Sequence, residues 1–106
     1  MNKRLLEKIV DSEGKYESLA LATIVDAKSS SPRDTGTSMI VYPDGNTYGT
    51  IGGGNQEKDI INRAKELLEE NKSGMISFNL TRKEAAKIGW VCGGDIDVYI
   101  ENITFN

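Results

Sequence analysis

The sequence predicts a layered α/β domain: one mixed β-sheet flanked by helices. Short apolar or alternating runs of strand length (18–27, 38–42, 75–80 and 95–101) are one ground for this. Two longer stretches with apolar residues at helical spacing (3–13, and from the glycines to between 71 and 74) are another. A third is the turn chemistry between them, in which Gly, Pro, Asp and Asn cluster at the junctions. At 106 residues the chain suits one core, and the reading is a single domain over 1–106.

The elements follow in order. Leu5, Leu6, Ile9 and Val10 share one face of a first helix, which stops near Gly14. "SLALATIVDA" (Ser18 to Ala27) is almost wholly apolar and short, as in a strand buried on both faces. "KSSSPRDTG" (Lys28 to Gly36) is a loop. "SMIVY" and "TYGTI" flank "PDGN", where proline presets a turn and Gly45 can take a positive φ, so they form a hairpin. Three glycines then open a second helix carrying Ile60, Ile61, Ala64, Leu67 and Leu68, ending between Asn71 and Gly74. "MISFNL" alternates as a strand. Thr81 and Glu84 make a capping box for a short helix through Ile88, with Gly89 as its stop. "DIDVYIE" is a last strand, burying Ile96, Val98 and Ile100.

Composition excludes several function classes. Sixteen acidic and thirteen basic side chains give a net charge of −3 with no basic stripe, so nucleic acid is not an expected partner. The N-terminal stretch has scattered charges and no long apolar run, so neither a signal peptide nor a membrane span is expected and a cytoplasmic location is. There is no histidine, the commonest general base and metal ligand. Cys92 is the one cysteine, so an internal disulfide and a thiolate zinc cluster are both excluded.

Three segments remain as carriers of chemistry. Gly52, Gly53 and Gly54 at a helix start leave main-chain N–H groups free to converge on an anion, or simply make a tight turn. Asn55 follows as a candidate cap, and Glu57 reads as a partner of the helix dipole before it reads as an acid. In "SSSPRDTG", Ser29, Ser30 and Ser31 offer hydroxyls and Arg33 a forked cation suited to phosphate or carboxylate, although a solvated loop is the plainer reading. In "GWVCGGD", Cys92 precedes Gly93 and Gly94; a free cysteine is more often a small buried hydrophobe than a reactive thiol.

Taken together, "SSPRDTG", "GTIGGGNQE" and "GWVCGGDIDVYIE" resemble, in order and rough spacing, the N-terminal domain of the XdhC/CoxI family, from about Leu19 to Glu101. The resemblance implies an accessory protein, not an independent enzyme. Its work is maturation of molybdenum hydroxylases such as xanthine dehydrogenase, by binding, sulfurating and delivering the molybdenum cofactor (molybdopterin). It implies a cofactor site made of Ser30, Ser31, Arg33, Gly52, Gly53, Gly54, Asn55, Cys92, Gly93 and Gly94, with no catalytic residue and no resident metal ligand. The glycine amides would receive an anionic part, Arg33 would add charge, and Cys92 would lie near the metal or the transferred sulfur.

The implied partners are a molybdenum hydroxylase apoenzyme, a cysteine desulfurase and a separate Rossmann-type subunit. Family members commonly carry a second cysteine where this chain has Asn55, which argues against a mechanism needing two thiols in one subunit. Thr37 is a milder departure. Many members continue into a C-terminal Rossmann-like domain, expected to be absent here. Either another protein supplies that half or a homodimer covers the exposed face. An interaction scaffold without cofactor is the alternative reading. A small enzyme using Glu57, Asp59 or Asp95 on a phosphorylated metabolite ranks below both.

Overall fold

The computed structural model describes residues 3–27, 35–51, 54–78, 87–89 and 96–105. The elements are α1 (Lys3–Ser12), β1 (Ser18–Ala27), β2 (Ser38–Val41), β3 (Thr47–Tyr48), α2 (Gly54–Glu70), β4 (Gly74–Phe78), β5 (Lys87–Gly89) and β6 (Ile96–Thr104). The six strands form one sheet in the order β3-β2-β1-β6-β4-β5. The layered α/β domain expected from sequence is therefore present, with a helix on each face of the sheet.

The sheet itself corrects one expectation. Every pairing between these strands is antiparallel, where a mixed sheet was expected. The apolar run of β1 suggested a strand covered on both sides, which is common in parallel sheets. Both sides are indeed covered, but by α1 on one face and α2 on the other. Leu19 and Leu21 pack with Leu5 and Ile9 of α1, and Ala20, Ala22 and Ile24 pack with Ile60, Ala64 and Leu67 of α2. Burial on two faces does not fix strand direction.

The final strand sits in the middle of the sheet. β6 pairs along its length with β1, from Ser18↔Thr104 to Ala27↔Ile96, and on its other side with β4. A register break between Ile24 and Asp26 leaves Val25 as the extra residue of a bulge, and Val25 is exposed. A second correction concerns residues 87–89. The short helix expected to run through Ile88 gives way there to β5, an edge strand pairing Lys87, Ile88 and Gly89 with Ser77, Ile76 and Met75. Its expected start at Thr81 and Glu84 lies outside the described residues.

Helix ends follow local chemistry. After α2, Asn71 takes a φ of 55°, Asn71 N–H donates to the Leu68 carbonyl and Lys72 N–H to the Leu67 carbonyl. That pair of bonds is a Schellman closure. On α1 the expected apolar face divides: Leu5 and Ile9 are buried, while Leu6 and Val10 are exposed. α1 is held instead by its last turn. Ser12 Oγ donates to the Lys8 carbonyl at 2.7 Å, so its oxygen accepts from the Tyr42 hydroxyl at 2.9 Å. Tyr42 in turn stacks on Tyr16 with ring centroids 4.5 Å apart, tying α1 to the hairpin. Asp44 fixes the hairpin turn by accepting from the Asn46 main-chain N–H at 3.0 Å.

Candidate functional site

Residues 35–38 and 48–50 approach each other at the open end of the β2–β3 hairpin. Thr37 follows the bulged end of β1, and the main chain holds it there. Ile24 N–H donates to the Thr37 carbonyl at 2.9 Å, and Gly36 N–H donates to the Ile24 carbonyl at 2.7 Å. Ser38 Oγ donates to the Gly36 carbonyl at 3.2 Å and accepts from Thr23 Oγ1 at 2.9 Å. Residues 35–38 thus form a pinned wall.

The opposite wall is Tyr48, Gly49 and Thr50. Gly49 has a φ of +86°, and a Cβ there would stand 3.2 Å from the Ser38 carbonyl oxygen. Backbone approaches backbone at this point, and glycine is required for it. Arg4 and Leu5 of α1 complete a cavity of about 630 Å³ between these walls. Lys8, one turn further along α1, places its ammonium 5.2 Å from the centre of the Tyr48 ring.

The chain leaves this cavity through Thr50 and Ile51 towards the glycines. Thr50 Oγ1 donates to Glu57 Oε2 at 2.6 Å, and Ile51 N–H donates to the same oxygen at 3.3 Å. Glu57 therefore clamps the segment entering α2. The sequence reading of Glu57 as a helix-dipole partner is compatible with this, but it missed the clamp. On the α2 side the segment is packed: Ile51, Gln56, Glu57, Ile60, Phe78, Ile96 and Val98 surround a gap of only about 10 Å³. That is barely room for one water. The open side faces α1.

A further polar pair lies in the sheet. Ser77 Oγ donates to Asp97 Oδ1 at 2.5 Å, and both residues are buried. Alternation along "DIDVYIE" assigns Asp97 to the face opposite Ile96 and Val98, which in a half-exposed strand would be solvent. Asp97 and Ser77 are nevertheless buried, so that face is covered at this point too.

Of the residues expected at the site, Gly54 and Asn55 are the first two residues of α2. Asn55 is thus inside the helix rather than its cap. Ser30, Ser31, Arg33, Gly52, Gly53, Cys92, Gly93 and Gly94 lie outside the described residues, as do Asp34, Trp90 and Asp95. Arg4 was not foreseen, because α1 was read only for its apolar face. Its position one residue before Leu5, which anchors that face, is the signal that places it at the helix margin.

Residues 14–79 match the model of the XdhC and CoxI family. The chain belongs to this family. Two curated proteins are similar to the chain. It is 38% identical over 81 residues to the uncharacterized protein YqeB of Escherichia coli, covering 76% of this chain and 15% of that protein. It is 32% identical over 90 residues to a Bacillus subtilis protein named as a probable xanthine dehydrogenase subunit, covering 83% of this chain and 27% of that protein. The fold matches a crystal structure described as a xanthine dehydrogenase from Bacillus halodurans, with a TM-score of 0.71 and 25% identity. That match covers 92% of this chain and 30% of the other. The chain thus spans less than a third of each of these proteins. Thr35 to Ser38 and Tyr48 to Thr50 fall inside the stretch matched by the family model; Arg4 precedes it. No helix among the described residues is long and apolar enough to cross a membrane.

Proposed function

We propose that this chain is an accessory domain in the maturation of a molybdenum hydroxylase of the xanthine dehydrogenase type, binding or passing on the molybdenum cofactor without turnover of its own. The observation that carries the reading is the cavity between the walls 35–38 and 48–50, whose Thr35, Gly36, Gly49 and Thr50 belong to two of the three segments that carry the family resemblance. Family membership and the names of two of the relatives, a probable xanthine dehydrogenase subunit and a xanthine dehydrogenase, support the client.

The residues present fit a phosphate-bearing polar cofactor. The cavity offers threonine hydroxyls and an arginine, and no Asp or Glu is among its described lining. Those residues would hold the anionic end, and Ser30, Ser31, Arg33, Gly52, Gly53, Gly54, Asn55, Cys92, Gly93 and Gly94 complete the proposed site. When bound, the cofactor supplies the dithiolene-held molybdenum that the client enzyme needs. The chain's own part is to bind, orient and release. A cytoplasmic setting, a cysteine desulfurase and a Rossmann-type subunit belong to the same proposal.

Two substitutions test the placement. Arg33→Ala and Gly53→Val are each expected to weaken retention of added molybdenum cofactor by about tenfold, the loss expected from one charge-assisted contact. Equilibrium dialysis against the isolated cofactor measures it. Unchanged retention in both variants rules out this site. The scaffold reading rests on Asn55, where a family cysteine is usual; it predicts client binding that survives Cys92→Ser and Arg33→Ala together.

A further inference from the structure

The cavity lining is unbalanced in its hydrogen-bonding capacity. Ser38 and Thr50 commit their hydroxyl protons to the Gly36 carbonyl and the Glu57 carboxylate. Arg4, Thr35 and Thr37 do not: among the described residues, none of these three side chains has a hydrogen-bond or ionic partner. A permanent cation with up to five donors and two hydroxyls thus line one space with no Asp or Glu in its described lining, the Glu57 carboxylate beside it being taken up by Thr50 and the Ile51 N–H.

We infer that this cavity is a subsite for a phosphate ester, with the Arg4 guanidinium as its charged contact and the Thr35 and Thr37 hydroxyls as additional donors. The inference deepens the proposed function and rests on it only for the identity of the larger ligand. Phosphate suits the donor set better than a carboxylate does. A planar carboxylate is satisfied by the guanidinium fork alone, whereas a phosphate has further oxygens for hydroxyls arriving from a second wall. At about 630 Å³ the space exceeds a lone phosphate and leaves room for the organic part of an ester along Leu5 and Tyr48. Gly36 and Gly49 add no side chain that would fill it.

Arg4 comes from α1, ahead of the stretch matched by the family model. The charge in this subsite is therefore supplied by an element that Ser12, Tyr42 and Tyr16 dock against the hairpin. Displacing α1 would remove the cation while leaving the threonine wall in place.

The test is an amide-detected NMR titration of the whole chain at constant ionic strength. Inorganic phosphate, a nucleoside 5′-monophosphate and acetate serve as probes. Expected are saturable shifts at Gly36, Thr37, Gly49 and Thr50 with phosphate, tighter binding of the ester, and little response to acetate. Arg4→Ala should weaken phosphate binding about tenfold or more, and Thr37→Val by a smaller factor. Arg4→Lys, which keeps the charge and loses the fork, should fall between wild type and Arg4→Ala and guards against a folding defect in the alanine variant. Lys65→Ala, in the separate cavity near Pro43, should leave binding unchanged. Shifts that fail to saturate, equal affinity for acetate, or equal losses in Arg4→Ala and Lys65→Ala would each overturn the subsite. A protein that retains pterin yet binds phosphate equally well without Arg4 removes this inference and leaves the proposed function standing. Phosphate binding through Arg4 in a protein that never holds pterin does the reverse.

Discussion

Ile100→Ala is expected to destabilise the domain by about 3–5 kcal/mol, the upper part of the range for large-to-small core changes. Ile100 is fully buried on β6, facing α2. Its neighbours across the sheet are Ala22 on β1 and Gly74 on β4. The side chain of Ile100 thus fills the sheet surface beneath the helix between two of the smallest residues, and neither neighbour can expand into the space it leaves. Set against a total stability of roughly 5–15 kcal/mol for a domain of this kind, the loss is large. Urea unfolding should show a lower midpoint with an unchanged slope. Ile103→Ala, at a half-buried position on the opposite face, should cost about 1 kcal/mol. Similar losses at the two positions would mean that the core is not arranged around β6 as described.

The second large effect is at Gly49. Valine there must adopt a φ near +86° and place its Cβ 3.2 Å from the Ser38 carbonyl oxygen, with the Met39 Cα at 3.5 Å. Gly14 supplies the control, since its φ is +92° and nothing lies within 4 Å of the point where a Cβ would stand. Gly14→Val should cost about 1–3 kcal/mol from backbone strain alone. Gly49→Val should exceed it by about 1–3 kcal/mol, the usual penalty for forcing atoms into filled space. The same substitution pushes the two cavity walls apart, so phosphate binding should be lost from whatever fraction remains folded. Equal destabilisation at Gly14 and Gly49 would show that the close approach of the walls is not tight.

Much of this architecture was legible in the sequence because local signals and tertiary packing agree. The run from Ser18 to Ala27 is a strand over its whole length, the PDGN turn makes its hairpin, and α2 begins at Gly54 and ends at Glu70, closed by Asn71. Disagreement arose where a tertiary partner decides. Thr81 and Glu84 carry a helix signal, yet Lys87 to Gly89 extend along β4 because the sheet edge offers hydrogen bonds to them. Strand direction is likewise a property of connections, so the double burial of β1 misled. Leu6 and Val10 are apolar and helical in spacing but exposed, because only Leu5 and Ile9 reach the sheet.

The site divides in the same way. Glycine and threonine positions near 36 and 49 were visible as parts of motifs, since motifs are contiguous. Arg4 and Asp97 were not, since each owes its role to a neighbour distant in sequence. Arg4 meets residues 35–50 only through the docking of α1, and Asp97 meets Ser77 only through the β4–β6 ladder. No spacing rule connects those pairs.

Direct detection of pterin tests the central claim most simply. The chain, purified under anaerobic conditions with or without added molybdenum cofactor, is oxidised and assayed for the fluorescence of released pterin. Pterin is predicted to stay with wild-type protein through gel filtration and to fall sharply in Arg33→Ala. Protein that carries no pterin, even after incubation with excess cofactor, would contradict the proposed role.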